Sequence, residues 1–172
     1  MAASPPRFER STVTESKHTQ PAERRAAPKP AGAPSGDRPA YSPDGGQTFT
    51  QVTLFTDTDG RARFREDEIA LTEGTPMSML SPLLPSAGMQ LRHSPVGFRS
   101  SFHVTTTPQW VFILRGQMEI NLQDGSARVF APGQHFYSDD TLPAGVSFDA
   151  AVHGHWSRQL GDEPLVTLFV RG

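Results

Sequence analysis

The stretch "WVFILRGQMEINLQDGSARVFAPGQHFYSDD", residues 110–140, decides the fold. An apolar strand runs to Arg115-Gly116, a second strand runs from Gln117 to Gln123, and Asp124-Gly125 turns the chain into a third. Met118, Ile120 and Leu122 alternate with Glu119, Asn121 and Gln123, so one face of the second strand is expected to be buried and the other wet. The unit reads as a meander of antiparallel strands. The same texture extends outward. "FTQVTLF" from Phe49 alternates, "TDTDG" is a turn, and "LVTLFVRG" carries a strand from Leu165 to Val170. That last strand lies far enough along the chain to pair with an early one and close the fold. The nearest helix candidate, "REDEIALTEG" at 65–74, lacks a continuous apolar stripe. The expected class is all-β, a sandwich or a barrel.

A chain of 172 residues normally makes one domain. With 16 Lys+Arg against 18 Asp+Glu, the formal charge is −2, which gives no electrostatic footprint for nucleic acid or an anionic membrane. There is no cysteine, so disulfides, thiolate nucleophiles and Cys-ligated zinc are excluded; metal ligands must come from His, Asp, Glu and Gln. No apolar run approaches the ~18 residues of a membrane helix and none resembles a secretory signal, so a cytoplasmic protein is expected. Residues 1–48 are crowded with Pro, Ala, Ser and charges of both signs and are read as a disordered tail; Glu9, Glu15 and Glu23 fit an organelle transit peptide poorly. The domain is expected over 49–172.

The spacing of His103, Gln109 and Gly116, with Asp124-Gly125 and Ala131 to Gly133 after them, resembles a cupin over roughly residues 52–172. The first cupin motif is usually written G-x5-H-x-H-x3,4-E-x6-G. Gly97, His103 and Gly116 stand in register with it, while Thr105 falls at the second histidine and Gln109 at the glutamate. A closer likeness is to small bacterial cupins with F-H-x5-Q, then D-G, P-G, an acidic-Thr stretch and G-H-x-S-R. Here these are Phe102-His103, Gln109, Asp124-Gly125, Pro132-Gly133, Asp139-Asp140-Thr141 and "GHWSR" at 154–158. Against those relatives, the segment "LPAGVSFDAAVH" at 142–153 is long.

The resemblance implies a double-stranded β-helix, the small jelly-roll barrel, in which His103, Gln109 and His155 point into the lumen and hold a divalent transition metal. Imidazole with oxygen donors suits Fe, Mn, Ni, Zn or Cu. His153 is two residues from His155 and becomes a fourth ligand if the segment is extended, although Gly154 between them permits a bend. Gln in place of Glu leaves the ion's charge uncompensated unless Asp139 or Asp140 faces inward, and adjacent strand residues face opposite ways. Tyr137 and Asp140 are the catalytic candidates. His135, on the strand face of Tyr137, lines the lumen as a substrate-binding candidate together with Trp110, itself read also as core or interface, and Arg158, which suits a carboxylate. The implied activity is dioxygenase, isomerase or lyase chemistry on a small molecule in a homodimer, with metal affinity falling as pH drops through about 6.5. The competing readings are a metal-free cupin acting as sensor, carrier or cyclisation template, and an interaction module that works through its tail. In the blandest reading His103 merely ends a strand and "HGH" is a loop.

Overall fold

The computed structural model describes residues 46–172; the expected tail lies outside them, apart from its last three residues. Eleven strands, and no helix, are found among the described residues. They are β1 (Thr48–Thr56), β2 (Ala62–Ala70), β3 (Glu73–Thr75), β4 (Ser78–Leu80), β5 (Gly88–Ser94), β6 (Gln109–Arg115), β7 (Gln117–Asn121), β8 (Ala127–Phe130), β9 (His135–Asp139), β10 (Trp156–Leu160) and β11 (Leu165–Arg171). Six form one sheet in the order β2-β1-β9-β6-β11-β5, three form a second in the order β10-β7-β8, and β3 pairs with β4.

The two larger sheets face each other across one apolar core. Val111 and Ile113 of β6, Phe136 of β9, Leu54 of β1 and Leu165 of β11 meet Met118 and Ile120 of β7, Leu122 beyond it and Phe130 of β8. Phe130 and Phe136 approach to 4.6 Å between ring centroids from opposite sheets. Burying each such side chain contributes roughly 1.5–3 kcal/mol. The alternation expected for 117–123 holds: Met118, Ile120 and Leu122 are buried, while Glu119, Asn121 and Gln123 are partly exposed.

One expectation is corrected. β6, β7 and β8 are not one meander, because β6 pairs with β11 and β9 whereas β7 pairs with β10 and β8. The chain changes sheets at Gly116, whose φ is +70° and where a Cβ would stand 2.7 Å from the Pro164 carbonyl oxygen. Glycine alone suits that corner. The strand from Leu165 does pair with earlier strands, β5 and β6. β11 lies between β5 and β6, and β1 lies between β2 and β9. Most of "REDEIALTEG" lies in β2, which is paired with β1 along its whole length. As an edge strand laden with charge it discourages pairing with another chain.

Among the described residues, no helix is long and apolar enough to cross a membrane.

Candidate functional site

Two histidines distant in sequence are fixed face to face by backbone geometry. His103 N–H donates to the His155 carbonyl at 2.9 Å, and His155 N–H donates to the His103 carbonyl at 3.0 Å, so the two residues form an isolated antiparallel bridge. Directly opposed residues in such a pair project their side chains to the same side, and the ring centroids are 4.5 Å apart with planes tilted by 52°. The chain reaches this bridge through Gly154, at φ +82°.

Each ring is anchored from behind. His155, 5% exposed, places Nδ1 2.8 Å from Oδ2 of Asp140, which is wholly buried and also accepts from the Thr56 hydroxyl at 2.7 Å. His103 places Nδ1 2.9 Å from the Ser101 carbonyl. A carbonyl only accepts, so Nδ1 of His103 carries the proton and Nε2 keeps its lone pair. No described residue hydrogen-bonds to Nε2 of either ring. Burial first, then the neighbouring His155, holds the His103 pKa below the usual imidazole value, with Arg92 adding to the effect.

The pair opens onto a lumen cavity of about 470 Å³, the size of a small-molecule site. Gln109 lines it from the start of β6, and its Oε1 is buried with no hydrogen-bond partner. Thr105, at the position of the second histidine of the cupin motif, also lines it and shares a 2.6 Å hydrogen bond with Ser138. Val111, Phe136 and Phe169 supply an apolar floor. No Asp or Glu lines the cavity among the described residues, whereas Arg92 and Arg171 both do.

The structure therefore brings His103, Gln109 and His155 to one cavity and leaves the other candidates elsewhere. His135 and Tyr137 do share a strand face, but it is the outer one. Phe136 and Ser138 occupy the lumen side of β9, and alternation sends their neighbours out. There His135 stacks on Phe49 at 4.9 Å and meets Trp110 at 5.5 Å, while Tyr137 lies edge-on to Trp110 at 5.6 Å. Trp110 belongs to this outer cluster because Gln109 and Val111 face the lumen. Arg158 pairs with Glu119 on the outer side of the small sheet. Gly154 does bend the chain, so His153 leaves the lumen; its Nδ1 accepts the Asp149 N–H at 2.9 Å. Asp140 lies behind His155 and not on the cavity wall, which makes it a positioning residue. Sequence reading passed over Arg92, Arg171 and Gln90. The available signal was the pattern of "GMQLRHS", where Gln90, Leu91 and Arg92 all border the cavity while the apolar Met89 and Leu91 are left 75% and 72% exposed.

The donor set fits a transition-metal ion in part. With metal–nitrogen bonds of about 2.0–2.1 Å, two imidazoles bound side by side to one ion put their centroids roughly 4.5–5.5 Å apart, and the observed 4.5 Å lies in that range. Back-bonded Nδ1 atoms are the usual support of ligating histidines, and the orphaned Gln109 oxygen supplies a third donor. Among the described residues the cavity wall provides no carboxylate to offset the ion's charge. Among the described residues no cluster of three His, Cys, Asp or Glu side chains is suited to a metal, so Gln109 is needed to complete the set.

On the outer face, Nε2 of His135 is buried without a partner and burial lowers its pKa. A group with a depressed folded-state pKa is protonated more readily in the unfolded chain, so stability is lost as pH falls below about 6.5. Thermal melts at pH 7.5 and 5.5 should show this loss, and His135→Phe should reduce it. An unchanged pH difference in that variant would refute the assignment.

No family model and no curated protein matches the chain. Among solved structures it is similar to the cupin domain of Schizosaccharomyces pombe Cnp3, at 12% identity over 73% of this chain and 84% of that one, with a TM-score of 0.35. It is also similar to a protein from Ralstonia eutropha JMP134 described as a candidate mannose-6-phosphate isomerase, at 18% identity over 80% and 92% of the two chains, with a TM-score of 0.29. The described residues form an all-β fold in which a six-stranded sheet, β2-β1-β9-β6-β11-β5, faces a three-stranded one, β10-β7-β8.

Proposed function

We propose that the barrel is a small-molecule site in which Nε2 of His103, Nε2 of His155 and Oε1 of Gln109 hold a divalent transition metal beside the ligand. The observation that carries the reading is the opposed imidazole pair, 4.5 Å between centroids, with both back nitrogens anchored. When bound, such an ion supplies Lewis-acid polarisation of a ligand oxygen, chemistry suited to an oxidation, isomerisation or lyase reaction. The chain's own residues do the rest. Asp140 fixes the orientation of His155, Thr105 and Ser138 offer hydroxyls to the ligand, and Val111, Phe136 and Phe169 exclude water from one side of it.

The test is element analysis after loading with Zn²⁺, Ni²⁺, Mn²⁺ or Fe²⁺ and desalting. About one equivalent of one of these is expected, falling below about a tenth in His103→Ala, with a matching loss of the metal-induced rise in melting midpoint. The absence of any acidic side chain from the cavity among the described residues favours a second reading, a metal-free ligand-binding barrel. That reading prevails if less than about a tenth of an equivalent is retained by the unaltered protein under every loading condition.

A further inference from the structure

Arg92 and Thr167 are cross-strand partners on β5 and β11, and between them they carry three buried polar atoms with no partner: Nε and Nη2 of Arg92, and Oγ1 of the fully buried Thr167. Gln109, whose Oε1 is likewise unpartnered, lies opposite Arg171 of β11 on the neighbouring strand β6. Such atoms are rare in folded proteins, and each requires an explanation. The two Arg92 nitrogens are the costliest, since the guanidinium stays charged at every physiological pH and a buried donor of a charged group left without an acceptor is strongly unfavourable.

The guanidinium's surroundings do not compensate it. The Phe98 and Phe169 rings lie 5.4 and 4.8 Å from the guanidinium carbon, which covers its faces, and no ion pair is found for Arg92 among the described residues. Arg171, which also lines the cavity, spends Nε and Nη2 on Oε1 of Gln90. A lumen to which the described residues bring two guanidiniums, two imidazoles and no acid is electrostatically prepared for an anion.

We propose that this lumen binds a small organic carboxylate, held side-on by the Nε and Nη2 edge of Arg92. The two unpartnered nitrogens are those of one edge of the planar fork, and a two-oxygen planar anion matches that edge with two parallel hydrogen bonds. A phosphate would require further donors around it, and the Nε and Nη2 edge of the second guanidinium is given to Gln90. Arg92 lines the cavity, and its Nε and Nη2 are buried, so binding requires a rotamer adjustment of the long side chain that turns this edge to the ligand. The apolar floor of Phe136, Val111 and Phe169 then receives the ligand's carbon skeleton, and its far end reaches His103 and His155. The inference rests on the lumen being the ligand site and is independent of whether a metal is held there.

The test uses the full chain and measures melting midpoint and calorimetric binding with benzoate and succinate, their neutral counterparts benzamide and succinamide, and inorganic phosphate, each to about 20 mM. At least one carboxylate is expected to bind and raise the midpoint while its amide does not. Arg92→Gln should weaken that carboxylate at least tenfold, as expected for losing a charge-assisted bond of about 1.5–3 kcal/mol, and Arg92→Lys should recover part of the affinity. Arg158→Gln, on the outer surface, should bind as the unaltered protein does. Because Arg92→Gln removes two buried donors of a charged group that have no acceptor, its ligand-free midpoint should not fall, whereas a residue serving only to pack against Phe98 and Phe169 would lower it when removed. No response to either carboxylate, equal responses to acid and amide, a response indifferent to Arg92→Gln, or an Arg92-dependent response to phosphate alone would each overturn the proposal. Metal content measured on the same samples keeps the outcomes separate: a carboxylate response without metal sinks only the metal reading, and metal without a carboxylate response sinks only this one.

Discussion

Gly154→Ala is expected to lower the melting midpoint by roughly 10 °C or more and to abolish ligand and metal responses together. Position 154 combines a left-handed backbone, φ +82°, with a close approach: a Cβ there would stand 2.3 Å from the His103 carbonyl oxygen and 2.7 Å from its carbon. The left-handed conformation costs a residue with a Cβ about 1–2 kcal/mol. The contact is with backbone and finds no rotamer that relieves it, so the His103–His155 bridge must open and lose two hydrogen bonds worth about 1 kcal/mol each. Together these come to about 3–4 kcal/mol. Gly125 is the control, with a similar φ of +83° and nothing within 4 Å of its would-be Cβ. Gly125→Ala should lose about 1–2 kcal/mol by strain alone. Equal midpoints for the two variants would show that the approach at 154 does not exist.

His155→Ala should be at least as damaging, at about 3–5 kcal/mol. The cost arises on the partner: Asp140, fully buried, would keep the Thr56 hydroxyl and lose the imidazole. Asp140→Ala should destabilise by a comparable amount and also release the orientation of His155. The double variant should be less destabilised than the sum of the single ones, since removing both partners leaves no isolated buried group. Chemical denaturation of the four proteins measures the coupling. Simple additivity would mean that Asp140 and His155 do not interact.

Strand existence and burial phase were legible wherever alternation was unbroken and one face was apolar, as at Met118, Ile120 and Leu122. The convergence of His103, Gln109 and His155 was legible only through the cupin-like spacing, because no local pattern reports that residue 103 will lie opposite residue 155. Sheet membership was not legible. Gly116 reads as a turn whether the chain folds back on its neighbour or crosses to the other sheet, and the close approach of Pro164 that decides the matter comes from 48 residues away. The faces of β9 were misassigned for a related reason. "HFYSD" carries aromatic and polar side chains on both faces, so its phase is set by β6 and β1 on either side; a one-residue slip exchanges His135 and Tyr137 with Phe136 and Ser138. Arg92 was missed because its strand borders the cavity with polar residues and leaves apolar ones exposed, the reverse of the rule used to find cores.

The position of β11 bears on how this chain acquires its structure. The six-stranded sheet is held on one side by a strand that lies far along the chain, with Arg171 paired to Gly88 and Gln109. Until those seven residues arrive, β5 has no neighbour and β6 has an unsatisfied edge. Assembly must therefore close long loops before most pairings reward it, which predicts folding in milliseconds to seconds instead of microseconds, and exposes bare strand edges to aggregation in the interval.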